Sequence, residues 1–152
     1  RNGMDMYQRL NEVLVNLFHE VKEKERQEII TGEFQDITEN DMHTIEVIGQ
    51  NEGCTMSELA KKMRLTAGTV TTSVNGLVKK AYVVREKSEK DRRVVYVFLT
   101  EKGKSAFLHH ASFHKRMTEE VLKQVEEEEL PVLGKMLEGL LTFFREGSME
   151  CG

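Results

Sequence analysis

Two short stretches of the chain carry side chains suited to chemistry on a polyanion. Thr66, Gly68, Thr69, Thr71, Thr72, Asn75 and Lys79 follow one another closely, and Lys87, Ser88, Arg92 and Arg93 come soon after. If the first stretch is helical, with about 100° between successive residues, Val70, Val74 and Leu77 share one side. Gly68, Thr71, Thr72, Asn75 and Lys79 then fall roughly opposite. Small hydroxyls, an amide and a glycine on one face can approach base edges and thymine methyl groups closely. Gly68 and Gly76 each cost a helix about 1 kcal/mol against alanine, so an outward glycine reads as room for a ligand rather than as a helix former. The competing view is that a threonine-rich stretch simply prefers β structure.

Charge is distributed unevenly. The 152 residues have a formal net charge of −4, which by itself discourages a nucleic-acid partner. Residues 55–104, however, hold 12 Lys and Arg against 5 Asp and Glu, while the remainder holds 10 against 21. A basic island between acidic flanks is the electrostatic footprint expected where a duplex backbone sits. A solvated charged face would look the same from charge alone.

Other groups invite weaker readings. His110 and His114 are spaced i, i+4, and with His43 they could supply three nitrogens to zinc. Histidines hydrogen-bonded between helices are the plainer explanation. The two cysteines, Cys54 and Cys151, lie far apart and make no disulfide framework or metal pair, so a reducing interior is expected. Cys54 reads as a small buried residue ahead of a helix cap. No nucleophile–base motif, phosphate-binding glycine loop or paired-carboxylate signature is present, which argues against an enzyme. No cofactor is implied. No apolar run approaches the ~18 residues of a membrane span, and no basic-then-apolar leader opens the chain, so a cytoplasmic protein without a membrane partner is expected.

The elements that must position these groups follow from periodicity. Met6, Leu10, Val13, Leu14, Leu17, Phe18 and Val21 fall at helical spacing and predict a helix from about Met6 to about Arg26. Residues 31–37, with Gly32, read as a loop. Thr38-Glu39-Asn40-Asp41 and Thr55-Met56-Ser57-Glu58 both look like capping boxes opening short helices. Thr66 caps a further helix that ends near Tyr82. Period two then takes over in Tyr82–Glu86 and Val94–Leu99, a hairpin around a polar, basic loop. Thr100 caps a long helix, the run Glu126 to Glu129 is a solvated junction, and Pro131 sits in the first turn of a last amphipathic helix. The fold class is mainly α with a small β-wing. Two short capped helices, a tight turn at Arg64-Leu65, a third helix and a charged hairpin spell a winged helix-turn-helix, since a major groove about 12 Å wide admits one helix braced by another. The apolar stripes of the first and last helices are wide for one short domain, and a second copy of the chain is the simplest cover for them.

The segment Asp91-Arg92-Arg93-Val94-Val95-Tyr96-Val97-Phe98-Leu99-Thr100-Glu101-Lys102-Gly103 resembles the D-x-R-x-x-x-[LV]-x-L-T-x-x-G wing signature of MarR-family transcriptional regulators. Ser57-Glu58-Leu59-Ala60 and Leu77-Val78-Lys79-Lys80 fit that family's helix-turn-helix. The resemblance implies one protomer over 1–152, with a DNA-binding lobe over 38–99 and a helical dimerisation region over 4–30 and 100–147. It also implies a homodimer on double-stranded DNA, with Arg93 at the family's wing-arginine position and Asp91 orienting an arginine. Thr72 departs from the arginine found in many members, so base readout should differ. A narrower likeness runs through Phe34–Thr38, Met42–Ile45, Val47–Gly49, Leu65–Ser73 and Phe113–Lys115, which are similar to the MarR-type repressors of fatty-acid synthesis genes (FabT-like). That likeness implies acyl groups on acyl carrier protein as co-repressor. Phe18, Val21, Met42, Phe107 and Phe113 are the apolar side chains that would then line an effector pocket. The alternatives are a zinc-responsive or other small-ligand MarR-type regulator, and a pure interaction module whose basic island docks an acidic protein.

Overall fold

A computed structural model describes the backbone of residues 3–31 and 33–150 and the side chains of residues 5–29 and 33–146. Gly32, within the expected loop, lies outside the described residues. Along the chain run α1 (Gly3–Thr31), α2 (Glu39–Gln50), α3 (Met56–Met63), α4 (Ala67–Lys79), β1 (Val83–Lys87), β2 (Val95–Leu99), α5 (Glu101–Gln124), a 3₁₀ turn (Glu127–Glu129) and α6 (Leu130–Glu150). The expected winged helix-turn-helix order is therefore present. The first helix is longer than the periodicity predicts, because no breaker interrupts residues 27–31 and Ile29 adds a last buried contact with the core.

Local chemistry accounts for most boundaries. Thr38 accepts the Asp41 N–H at 3.1 Å while the Asp41 carboxylate accepts the Thr38 N–H at 3.1 Å. Thr55 and Glu58 make the same reciprocal pair at 3.1 and 3.2 Å. Each box satisfies backbone donors that a helix start leaves free. At the head of α5 the Thr100 hydroxyl accepts the Gly103 N–H at 3.1 Å. A Cβ on Gly103 would lie 2.1 Å from the Tyr82 carbonyl oxygen, so only glycine lets α5 start against the end of the α4–β1 connection. The final glycine of the wing signature thus has a steric cause. The acidic junction is an exposed 3₁₀ turn, as expected.

Two compact units are distinguishable, residues 1–113 and 114–152. In the first, β1 and β2 pair antiparallel with Val83 opposite Leu99 and Lys87 opposite Val95. The segment before α3 joins β2, through Gly53 N–H to Val97 O (3.1 Å) and Val97 N–H to Cys54 O (2.9 Å). Ile45, Ile48, Leu59, Val70, Val74, Leu77, Tyr82, Val83 and Val97 form a fully buried centre shared by α2, α3, α4 and the hairpin. Burying such side chains is worth roughly 1.5–3 kcal/mol each, which anchors the helix-turn-helix by its inner side. Cys54 is buried in this core as expected, and burial pushes its thiol pKa up, away from a reactive thiolate.

Apolar side chains are exposed in both units. Leu10, Val13, Leu17 and Phe18 on α1 are exposed, as are Met136, Leu137, Leu141 and Phe144 on α6. No helix among the described residues is long and apolar enough to cross a membrane.

Candidate nucleic-acid interface

The turn between α3 and α4 is tight because Arg64 takes a left-handed conformation (φ 57°) and its N–H, with that of Leu65, closes back onto Lys61 and Ala60 carbonyls. Thr66 then caps α4, accepting the Thr69 N–H at 3.2 Å. Val70, Val74 and Leu77 are fully buried, and Gly68, Thr69, Thr71, Thr72, Asn75 and Lys79 are exposed, so the outward face is the one the spacing predicts. A Cβ at Gly68 or Gly76 would meet nothing within 4 Å. Neither glycine is demanded by packing within the chain. The threonine-rich stretch is helical, so its β preference is overridden by the buried valines.

The outer face is braced from behind. Lys80, at the end of α4, reaches the Asp41 carboxylate at 2.9 Å, and Asn40 Nδ2 donates to Ser73 Oγ at 3.0 Å. The Asp41 that closes the α2 capping box therefore also holds the far end of α4. Beyond it, the buried Tyr82 donates to Asp36 at 2.5 Å, and Lys102 stands 4.3 Å above the Tyr82 ring. That hydroxyl, with Lys102 nearby, holds the Asp36 carboxyl below the usual carboxylate range. Burial first, then Asp36, pushes the Tyr82 hydroxyl pKa upward. None of these contacts was visible in residue spacing, because each joins positions far apart in the chain.

At the wing, Lys87, Arg92 and Arg93 are exposed. Asp91 grips Arg93 in a bidentate pair, Nε to Oδ1 at 3.0 Å and Nη2 to Oδ2 at 3.1 Å, which lowers the Asp91 pKa and raises that of Arg93. The Arg93 side chain is nonetheless 92% exposed. Asp91 thus orients an arginine, as the wing signature implies. Ser88 is half-buried, and its hydroxyl accepts the Asp91 N–H at 3.3 Å, so it shapes the wing loop. A cleft of about 300 Å³ opens between the start of α3 and the wing, lined by Thr55, Met56, Ser57, Arg93, Val94 and Val95. Arg85, a residue the spacing did not single out, donates to Asn75 Oδ1 at 2.6 Å from β1.

The family model for MarR regulators matches residues 35–94. The structure superposes on Streptococcus pneumoniae FabT in complex with DNA at a TM-score of 0.84 and 43% identity, covering 92% of this chain and 98% of that one. The chain belongs to the MarR family. Another similar structure is a MepR–DNA complex from Staphylococcus aureus, at 26% identity, a TM-score of 0.67, and coverage of 89% of this chain and 97% of that one. A curated relative, the transcriptional regulator BilQ of Clostridium symbiosum, is 35% identical over 94 residues, 61% of this chain. The chain spans 65% of that relative's length and 61% of the length of the Bacillus subtilis regulator PchR. This MarR-family chain is accordingly a DNA-binding transcriptional regulator.

In this MarR-family chain the side chains expected to line an effector pocket have mixed placements. Met42 is buried in the core and Phe107 packs against it, covering Gly49, where a Cβ would lie 2.4 Å from the Phe107 ring. Val21 and Phe113 are half-buried, and Phe18 is 47% exposed. Of the histidines considered for zinc, His43 is exposed on α2, and His110 is buried on α5 with Nε2 2.9 Å from Glu46. Glu25 on α1 also brings a carboxylate oxygen within 4.8 Å of a His110 ring nitrogen. His114 follows one turn later on α5, at the start of the second unit.

Proposed function

We propose that this regulator is a repressor of fatty-acid synthesis genes that binds an inverted repeat as a homodimer, with long-chain acyl carrier protein as co-repressor. The observation that carries the reading is the 43% identity to FabT over 98% of that chain, together with the motifs that resemble the FabT-like group. The outer face of α4 supplies base contacts through Gly68, Thr71, Thr72 and Asn75, while Lys79, Lys87, Arg92 and Arg93 meet the backbone and minor groove. The uncovered apolar faces of α1 and α6 supply the dimer contact, residues 4–30 and 100–147 forming the dimerisation region and 38–99 the DNA-binding lobe. A dimer spaces two recognition helices one helical turn apart, which an inverted repeat matches. An acyl chain among Phe18, Val21, Met42, Phe107 and Phe113 buries apolar surface at about 0.8 kcal/mol per methylene. It raises DNA affinity only by favouring the arrangement that binds the operator.

The experiment measures affinity for an inverted-repeat duplex and for a random duplex, with acyl carrier protein bearing chains of increasing length. Tighter binding to the repeat that grows with chain length supports the reading. A second, zinc-responsive reading is favoured by the approach of Glu25 and Glu46 to His110. It predicts affinity that changes on chelation and on His110→Ala, with no dependence on chain length. That outcome replaces the acyl reading.

A further inference from the structure

The contact between Arg85 and Asn75 assigns a direction to base readout. Arg85 stands on β1 opposite Val97, and its Nη1 lies 2.6 Å from Asn75 Oδ1 on the outer face of α4. A guanidinium has donors only, so the Asn75 atom it faces must be the carbonyl oxygen, and the amide cannot flip without placing two donors together. The Asn75 NH₂ group is left to meet a ligand, and among the described residues it has no hydrogen-bond partner. Neighbouring side chains are committed in the opposite sense. Thr71 donates its hydroxyl proton to the Ala67 carbonyl at 2.8 Å, and Thr72 donates to the Gly68 carbonyl at 3.1 Å. With the proton committed to the backbone, each hydroxyl oxygen keeps only acceptor capacity toward a ligand, and both residues are exposed.

We propose that Arg85 is a specificity-positioning residue: by holding the Asn75 oxygen it makes Asn75 a donor-only reader that selects guanine over adenine in the major groove. An unrestrained asparagine pairs with adenine through both its atoms, taking the N6 amino group on its oxygen and giving a proton to N7. With the oxygen occupied, adenine offers one acceptor beside an amino group that meets another donor. Guanine offers O6 and N7, both acceptors, to the two amide hydrogens. The inference rests on α4 being the base-reading helix.

The test selects binding sites from a randomised duplex library with the full-length protein and its variants, and follows each with affinities for the selected and random duplexes. Asn75→Ala identifies the base-pair position that Asn75 reads. At that position the wild type should favour guanine over adenine by about fivefold or more, the discrimination of a sound base contact. Arg85→Met should erase or reverse that ratio, and Arg85→Lys, which keeps a donor, should restore it. Asn75→Asp pairs a carboxylate with Arg85 and should move the preference towards the amino-bearing bases, adenine and cytosine. Both residues are exposed, so the core is unaffected by these changes. A uniform loss of affinity in Arg85→Met, with the guanine ratio intact, makes Arg85 a phosphate contact and overturns the proposal alone. If Asn75→Ala alters no position while duplex binding persists, Asn75 reads no base and the proposal fails; if the wild type itself selects no sequence, base reading by α4 fails with it.

Discussion

At the scale of single residues, the wing shows a charge prepared for use. Asp91 holds the Nε–Nη2 edge of the Arg93 guanidinium while leaving the side chain almost wholly in solvent, so part of the rotamer freedom that binding would cost is already lost. Arg93→Ala should therefore weaken binding to selected and random duplexes by similar factors, and reduce the slope of log affinity against log salt by about one. Loss confined to the selected site would instead make Arg93 a base reader. The Tyr82–Asp36 pair carries a pH signature. Because Tyr82 depresses the Asp36 pKa, the pair's stabilisation is present above the ordinary carboxyl pKa near 4 and is lost as pH falls through the lower folded value. Tyr82→Phe should cost about 1 kcal/mol at neutral pH, since solvent screens the half-exposed Asp36, with the gap to wild type narrowing as pH falls below the ordinary carboxyl pKa in urea titrations. A gap that stays constant over that range would assign the loss to packing rather than to the charged hydrogen bond.

At the scale of elements, glycines separate folding from recognition. Gly103→Ala sets a methyl group against the Tyr82 carbonyl, which is backbone and cannot swing aside, so a loss of about 1–3 kcal/mol is expected in thermal or urea unfolding. Gly68→Ala and Gly76→Ala enter open space on α4 and should stabilise the free protein by up to about 1 kcal/mol each. Gly68→Ala should at the same time lower affinity for the selected duplex, because its methyl occupies room on the outward face. A more stable Gly68→Ala protein with unchanged affinity would remove Gly68 from the interface. The same contrast shows why α4 is oriented so firmly. Its inner face is buried by valines, its end is tied by Lys80 to Asp41, and its middle is tied by Ser73 to Asn40.

At the scale of the whole molecule, exposed apolar side chains on α1 and α6 are what remains after the core is filled. Leu141 on α6 is 48% exposed in a stripe with Leu137 and Phe144. Leu141→Glu puts a charge on that stripe and should convert a dimer to monomers or aggregates in sedimentation experiments, with loss of preference for an inverted repeat. A stable monomeric variant with wild-type affinity for the repeat would refute the dimer arrangement.

Sequence by itself determined whatever depends on neighbours within a few residues. Thr38–Asp41 and Thr55–Glu58 cap their helices as written, the alternation after Tyr82 makes the wing, and the valines of α4 decide which face turns out. Asp91 and Arg93 belong here too, two residues apart. Only tertiary structure decided that Arg85 holds Asn75, that Asp41 serves both a cap and Lys80, and that Tyr82 is buried against Asp36. In each of these the partners are brought together by packing of the core. A hydrogen bond between residues 10 to 46 positions apart leaves no periodic trace in the chain, since its geometry exists only once the hydrophobic centre has closed.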